Sequence, residues 1–350
     1  MANEHLSGME LNTIGLRKPI YPINDRLAGY LKAIDRSDKL PVVYSDLLRH
    51  EGLLAQKDAQ GRETLWTTVL LRPAEMDDLH QRLVQLYQML VADGRHVDHL
   101  RVASIDFCAY GNSQPFRIKI LNQINDNHDY YYIKKADASR VYGLELEHLL
   151  SPNRINYAVD GSTLVEEHII GVPGDDFIKD PFHYGGNINA VRLSKEFVKF
   201  NERCFARLLG DMRAYNFVVD VIQDFDQVQY RLRSIDFDQQ CYEGRHRIYL
   251  PQFYKENLPY VQFAQEHIGS ESTEQYGIEE RALLRKRYRL SQAQLEELFN
   301  VMRTDTISTP EHVGMLAQEL SQLHGDARMA MCDNMGAILE LHLKLRLGLE

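Results

Sequence analysis

Between about residue 101 and residue 171, five short runs alternate apolar and polar side chains, VASIDFCAY, FRIKILNQI, DYYYIKKA, INYAV and TLVEEHII. This block limits the fold more than any other part of the chain. A period of two turns one side of each run toward a core and the other toward solvent, which is the signature of strands. Gly111, Asn125-Asp126-Asn127 and Asp160-Gly161 supply turn chemistry between the runs. One helical stretch, over about 138–150, falls between the third and fourth runs. Ser151-Pro152 closes it, because proline disfavours helix in the residue before it.

On either side of the strand block the period lengthens. Residues 1–95 hold a mixed opening segment and then a helix that starts after Pro73, carries Leu79, Leu83, Leu86 and Leu90 on one face and stops at Gly94. From about 190 helices dominate. The first is LSKEFVKFNERCFARLL, with Phe197, Phe200, Cys204, Phe205 and Leu208 at helical spacing and Ser194 read as its cap. A strand pair follows, FVVDVIQDF and VQYRLRSIDF, and then a helical tail in which Ser291-x-x-Gln294 and Thr309-Pro310 read as helix starts. Strands in one block and helices in another predict an α+β fold. The 350 residues suffice for two lobes with separate cores. The expected division is an N-terminal extension over 1–95, a sheet lobe over 96–172 and a helical lobe over 173–350.

Several function classes fall away on composition and motif. The formal net charge of -10 argues against nucleic acid or an anionic membrane as partner. Cys108, Cys204, Cys241 and Cys332 lie too far apart for a zinc knuckle or a disulfide framework, so they read as reduced thiols. The opening MANEHLSGMELNTIG has no basic-then-apolar leader, and no stretch reaches ~18 apolar residues, so a cytoplasmic protein is expected. The fourteen histidines form no H-E-x-x-H, and no G-x-S-x-G elbow is present. Tyr130-Tyr131-Tyr132 reads as a half-buried strand rather than a base-stacking platform.

One constellation carries chemistry. Moving a phosphoryl group from ATP needs a residue to orient the attacking hydroxyl and others to hold metal and offset phosphate charge. In LLGDMRAYNFVVDV, Asp211 precedes Asn216 by five residues at the entry to a strand, and the next strand pair ends in RSIDFDQ, setting Asp236 at a strand terminus. The spacing resembles a kinase catalytic loop, in which the aspartate accepts the hydroxyl proton and the asparagine oxygen binds Mg2+; on that pattern Asn216 and Asp236 are the expected hard oxygen ligands. Upstream, the third strand carries Lys134 and Lys135 on opposite faces, and the next helix carries Glu145 at an inward spacing. A kinase carries its phosphate-binding lysine on the third strand and pairs it with a glutamate on the next helix; on that likeness Lys134 is preferred as the lysine, with Lys135 as the alternative and Glu145 as its partner. Arg213, two residues beyond Asp211, can face the transferring phosphate or pair with a nearby acid.

With these residues, the region from about 101 to 240 resembles the protein-kinase-like superfamily, and in motif style aminoglycoside and choline kinases. TLVEEHIIGVPGDDF is similar to the fifth strand and hinge of those enzymes, LLGD to their H-G-D loop and IDFD to their I-D-F-E motif. The resemblance implies a two-lobed α+β fold, with ATP and Mg2+ between a small antiparallel sheet lobe and a helical lobe. It places Glu166, Glu167, His168 and Ile169 beside adenine and Gly111, Asn112 and Ser113 at the phosphates. Leu209 stands in place of the loop histidine, Gly111 is the single glycine of the turn, and Asp238 replaces the glycine of D-F-G. The expected activity is transfer of the γ-phosphate to a hydroxyl of a small molecule or protein. A nucleotide-binding scaffold without transfer and an adenylyl transferase are the other readings of the same residues.

Overall fold

In the computed structural model, which describes residues 18–58, 60–91, 97–180, 188–224 and 227–349, the chain opens with α1 (Asp25–Ala33) and α2 (Tyr44–Leu47). The hairpin β1 (Gly52–Lys57) and β2 (Glu63–Leu70) follows, then α3 (Pro73–Val91), β3 (Leu100–Phe107), β4 (Phe116–Asn122) and β5 (His128–Lys135). Next come α4 (Ala138–Leu150), β6 (Tyr157–Asp160), β7 (Thr163–Glu167), β8 (Val172–Pro173), α5 (Gly174–Phe177) and α6 (Ala190–Arg207). The strands β9 (Phe217–Asp224) and β10 (Gln227–Ser234) precede α7 (Leu258–His267), α8 (Ser270–Leu290), α9 (Gln292–Met302), α10 (Pro310–His324) and α11 (Met335–Leu347). The fold is α+β. The expected stop of α3 at Gly94 lies outside the described residues.

The chain divides into two compact units that are interleaved in sequence rather than consecutive. A sheet unit takes residues 18–23, 38–137 and 158–166, and a helical unit takes 24–37, 138–157 and 167–349. The order therefore differs from a division at 95 and 172, since α1 and α4 belong with the helices.

In the sheet unit the strand order is β1-β2-β3-β4-β5-β7-β6. Phe116, Ile118 and Ile120 alternate along β4, opposite Phe107, Ile105 and Val102 of β3, while Phe116 and Ile118 also face Ile133 and Tyr131 of β5. A bulge between Val102 and Ser104 shifts the register by one, so Val102 and Ile105 both reach the core although they lie three apart. Leu79, Leu83, Leu86 and Leu90 of α3 close that core. The opening residues are not an extension apart from the sheet, because the β1–β2 hairpin forms its edge. Thr67 and Thr68 pair with Phe107 and Asp106, and the buried Asp106 accepts from Arg117 at 2.8 and 3.2 Å and from Gln56. Arg117 in turn lies 4.3 Å over the Trp66 ring.

In the helical unit α6 buries Leu193, Phe197, Phe200, Cys204 and Phe205, as its spacing predicts. Its cap is Asn189, whose side chain accepts from Arg192 N at 3.1 Å, so Ser194 lies inside the helix instead of starting it. Phe197 stacks on Tyr260 at 5.2 Å, and Phe200 meets Phe217 at 4.9 Å. Buried arginines hold α6 in place. Arg203 pairs with Glu196 at 2.6 Å and Glu280 at 3.3 Å, and Arg207 pairs with Glu147 of α4. Strands β10, β9 and β8 form a small antiparallel sheet. Thr309 caps α10 as expected, accepting from His312 N at 3.2 Å. Helix α9 does begin after Ser291, but Gln294 turns to Glu145 at 2.8 Å instead of completing a capping box. All four cysteines are free thiols. Among the described residues no helix is long and apolar enough to cross a membrane.

Candidate active site

The site begins where α6 ends. Leu208 adopts a left-handed conformation at φ 53°, which stops the helix, and Leu209 N returns to Cys204 O at 3.0 Å. The outgoing chain is then zipped to the loop after β10. Leu209 bridges Gln240, Gly210 N donates to Gln239 O at 3.2 Å, and Cys241 N donates to Leu208 O at 2.9 Å. Asp211 comes next, again left-handed at φ 56°. A non-glycine residue in that region carries backbone strain, and strain is held where surrounding bonds over-determine it. Here Asp211 N donates to Tyr254 Oη at 3.0 Å, and Asp211 O accepts from Arg213 N at 2.8 Å and from Asn216 Nδ2 at 2.7 Å.

These bonds fix the side chains as well. Arg213 Nε donates to Asp211 Oδ1 at 2.6 Å, and its Nη1 reaches Glu256 Oε1 at 3.0 Å. The second Glu256 oxygen is buried and finds no donor. Asn216 Nδ2 also approaches Asp211 Oδ2 at 3.3 Å. A carbonyl oxygen accepts only from the amino end of an amide, so Asn216 spends Nδ2 on Asp211 and keeps Oδ1 as an acceptor. Burial pushes the Asp211 carboxyl above its ordinary range. The Arg213 hydrogen bond and charge pull back against that rise, and the Glu256 charge adds to it. Glu243 is raised for the same first reason, burial, with the Asp211 charge contributing.

The second loop lies alongside, tied by Ile235 N donating to Asn216 O at 3.0 Å. Asp236 Oδ1 accepts from Asp238 N at 3.0 Å and from Arg140 Nη1 at 2.8 Å, and the same Nη1 meets Asp238 Oδ1 at 2.8 Å. Arg140 gets there because α4 packs very close to this loop. A Cβ on Gly143 would stand 3.0 Å from Phe237 Cβ, and Ser139 Oγ donates to Gln240 O at 2.6 Å. Asp211, Arg213, Asn216 and Asp236 thus share one cluster in the helical unit.

The other expected residues are divided between the two units. In the sheet unit, Lys134 and Lys135 do point to opposite faces. Lys134 is buried and donates to Glu166 Oε2 at 2.6 Å, while Lys135 goes to Gln114. Gly111, Asn112 and Ser113 lie in a tight turn between β3 and β4, where Gln114 N donates to Gly111 O at 3.1 Å and Lys135 N to Ser113 O at 3.1 Å. In the helical unit, Glu145 accepts from Tyr30 at 3.1 Å, Tyr157 at 2.6 Å and Gln294 at 2.8 Å. Lys134 and Glu145 fall in different units; within the sheet unit Glu166, on the neighbouring strand, takes the lysine, and within the helical unit two phenols and an amide take the glutamate. The chain leaves the sheet unit at Glu166, so Glu167, His168 and Ile169 open the helical stretch, with Ile169 buried and Glu167 N donating to Asn156 O at 3.0 Å. Arg140, Tyr254 and Glu256 escaped sequence reasoning. They come from 96 and 43 residues away, and nothing local marks them.

The cluster fits the metal that the resemblance implies. Asn216 Oδ1 and the part-exposed Asp236 carboxylate are oxygen donors on adjoining loops, and Mg2+ prefers one or two such side chains with water and phosphate completing its shell. Among the described residues no group of three or more His, Cys, Asp or Glu side chains could cage a metal by itself. No protein-family model matches the chain, and no curated protein matches it.

Proposed function

We propose that this chain is an ATP- and Mg2+-dependent phosphotransferase of the protein-kinase-like fold, moving the γ-phosphate to a hydroxyl of a small molecule or protein. One observation carries the reading. Asp211, Asn216 and Asp236, spaced over 25 residues of sequence, stand on two loops that are hydrogen-bonded side by side, in the helical unit alone.

In this reading Asp211 orients the acceptor hydroxyl and takes its proton at a carboxylate oxygen. A carboxyl raised by burial holds that proton better than an ordinary aspartate would. Arg213 fixes the rotamer of Asp211 through Oδ1 and brings a positive charge to the same place, while Glu256 anchors Arg213 from behind. Asn216 and Asp236 would hold Mg2+, which when bound offsets the charge of the phosphates. Arg140 keeps Asp236 and Asp238 from repelling one another and sets the Asp236 carboxylate at the edge of the loop. A nucleotide-binding protein without transfer is the second reading. It is favoured by the fact that both key acids already carry an arginine, Arg213 on Asp211 and Arg140 on Asp236.

The test is the thermal unfolding midpoint with and without ATP and Mg2+, in the wild type and in Asp236→Ala, because a ligand that binds only the folded state raises that midpoint. A Mg2+-dependent rise that disappears in the variant supports the site. No rise at saturating ATP removes the nucleotide and with it the proposal.

A further inference from the structure

Away from Asp211, the helical unit contains a cavity of 710 Å³, walled by the side of α6, by α7, by the start of α8 and by the end of α11. That volume lies inside the ~300–1,000 Å³ range of small-molecule sites. Much of its wall is apolar, including Phe197, Phe205, Val261, Ala264 and Ile268. One polar cluster interrupts it. Glu202, 7% exposed, is gripped by Arg346 through two bonds of 2.8 Å and by Arg281 at 2.9 Å. Two guanidinium groups against one buried carboxylate leave a surplus positive charge on this cluster, and each arginine, itself part-exposed, keeps N–H groups that Glu202 does not use. The other acid on the wall, Glu274, is exposed, so water and salt screen its charge from the cluster.

We propose that this cavity binds an amphipathic monoanion, a carboxylate with an unbranched or aromatic apolar body. The carboxylate joins Glu202 on the two arginines and the apolar body covers the phenyl and aliphatic wall. The anionic end is specified because a neutral ligand leaves the surplus charge facing an apolar occupant, and a cation adds to it. This inference does not rest on the phosphotransferase reading, since neither the cavity nor its arginines include Asp211, Asn216 or Asp236.

The probe is decanoate, with decanol and decyltrimethylammonium as controls, measured by equilibrium dialysis on the full chain. Saturable binding of one decanoate per chain is expected, at least about tenfold tighter than either control. Ala264→Trp, which fills the cavity from a partly exposed wall position, is expected to weaken decanoate by about tenfold or more while leaving the circular dichroism and unfolding midpoint intact. Arg346→Met, which leaves Glu202 with Arg281, is expected to reduce the preference for decanoate over decanol. Equal binding of all three probes overturns the proposal, as does decanoate binding that Ala264→Trp does not change, or no saturable decanoate binding at all.

Discussion

Along β3, β4 and β5 of the sheet unit the buried face is almost wholly apolar, and the ion pairs Arg117–Asp106 and Lys134–Glu166 are additions to it. Along α6 of the helical unit charged side chains share the buried surface with apolar ones. Glu202, Arg203 and Arg207 lie on one helix and are paired with Arg281, Arg346, Glu280 and Glu147 from other segments, while Glu196 pairs with Arg203 within the helix. The difference teaches where each unit is vulnerable. An apolar face loses stability in proportion to the atoms removed, whereas a buried ion pair fails when either partner is removed and tolerates removal of both.

The largest effect expected is on chemistry, and it falls on the helical unit alone. Asp211→Asn is expected to lower turnover by about 10²–10⁴ with ATP binding retained, measured once an acceptor is found as kcat against the ATP-induced rise in unfolding midpoint. Because Asp211 is raised in the folded state, its charged form costs stability at neutral pH. The same variant is therefore expected to unfold no earlier than wild type, and unchanged turnover would sink the assignment of the base.

Next comes a direct test of the comparison. Arg207→Met leaves Glu147 buried and unpaired, at a cost of about 3–5 kcal/mol in urea unfolding, and adding Glu147→Leu is expected to recover most of it. Leu83→Ala in the sheet unit should cost about 2–5 kcal/mol and have no such rescue. Hydrogen exchange should speed up in α4 and α6 for the first variant and in β3 to β5 for the second. If the double variant is as unstable as Arg207→Met alone, the contrast between the units fails.

The smallest effect is the dependence on pH. His342 is fully buried, bonded to His324 at 2.9 Å and to Phe205 O at 3.0 Å. Burial, then the charge of His324, brings it down to about 3, well below the ordinary value of about 6.5. The unfolded chain therefore binds a proton that the folded chain refuses. The contribution of this residue is complete above the ordinary value and is lost as the pH falls toward the folded one, by up to ~1.4 kcal/mol per pH unit. His342→Gln should flatten the fall in urea midpoint between neutral and mildly acid solution, and an unchanged slope would assign that fall to other groups.

How much of this was legible in the sequence follows the same contrast. The five strands and α4 were readable because alternation and Ser151-Pro152 are local signals, and α4 falls on the expected 138–150. The β1–β2 hairpin was not, because its residues are mostly exposed and carry no alternation, so only its pairing with β3 makes it part of the sheet. Ser194 is not the cap, because Asn189, four residues before Leu193, does that work. At the candidate site, Asp211, Asn216 and Asp236 could be named from spacing within two loops. Arg140 on Asp236 and the pairing of Lys134 with Glu166 could not, since a long-range ion pair leaves no period in the chain.

The interleaving of the two units has a consequence for synthesis. The path changes unit after Ile23, Ser37, Asp137, Tyr157 and Glu166. The helical partners that α1 needs begin only at Ala138, more than a hundred residues further along the chain, and the sheet cannot be finished until β6 and β7 emerge on the far side of α4. Neither unit can fold as a completed N-terminal piece ahead of the other. Nor can either be excised with a single cut, so a truncation anywhere between 24 and 166 should yield an aggregating fragment rather than an isolated domain.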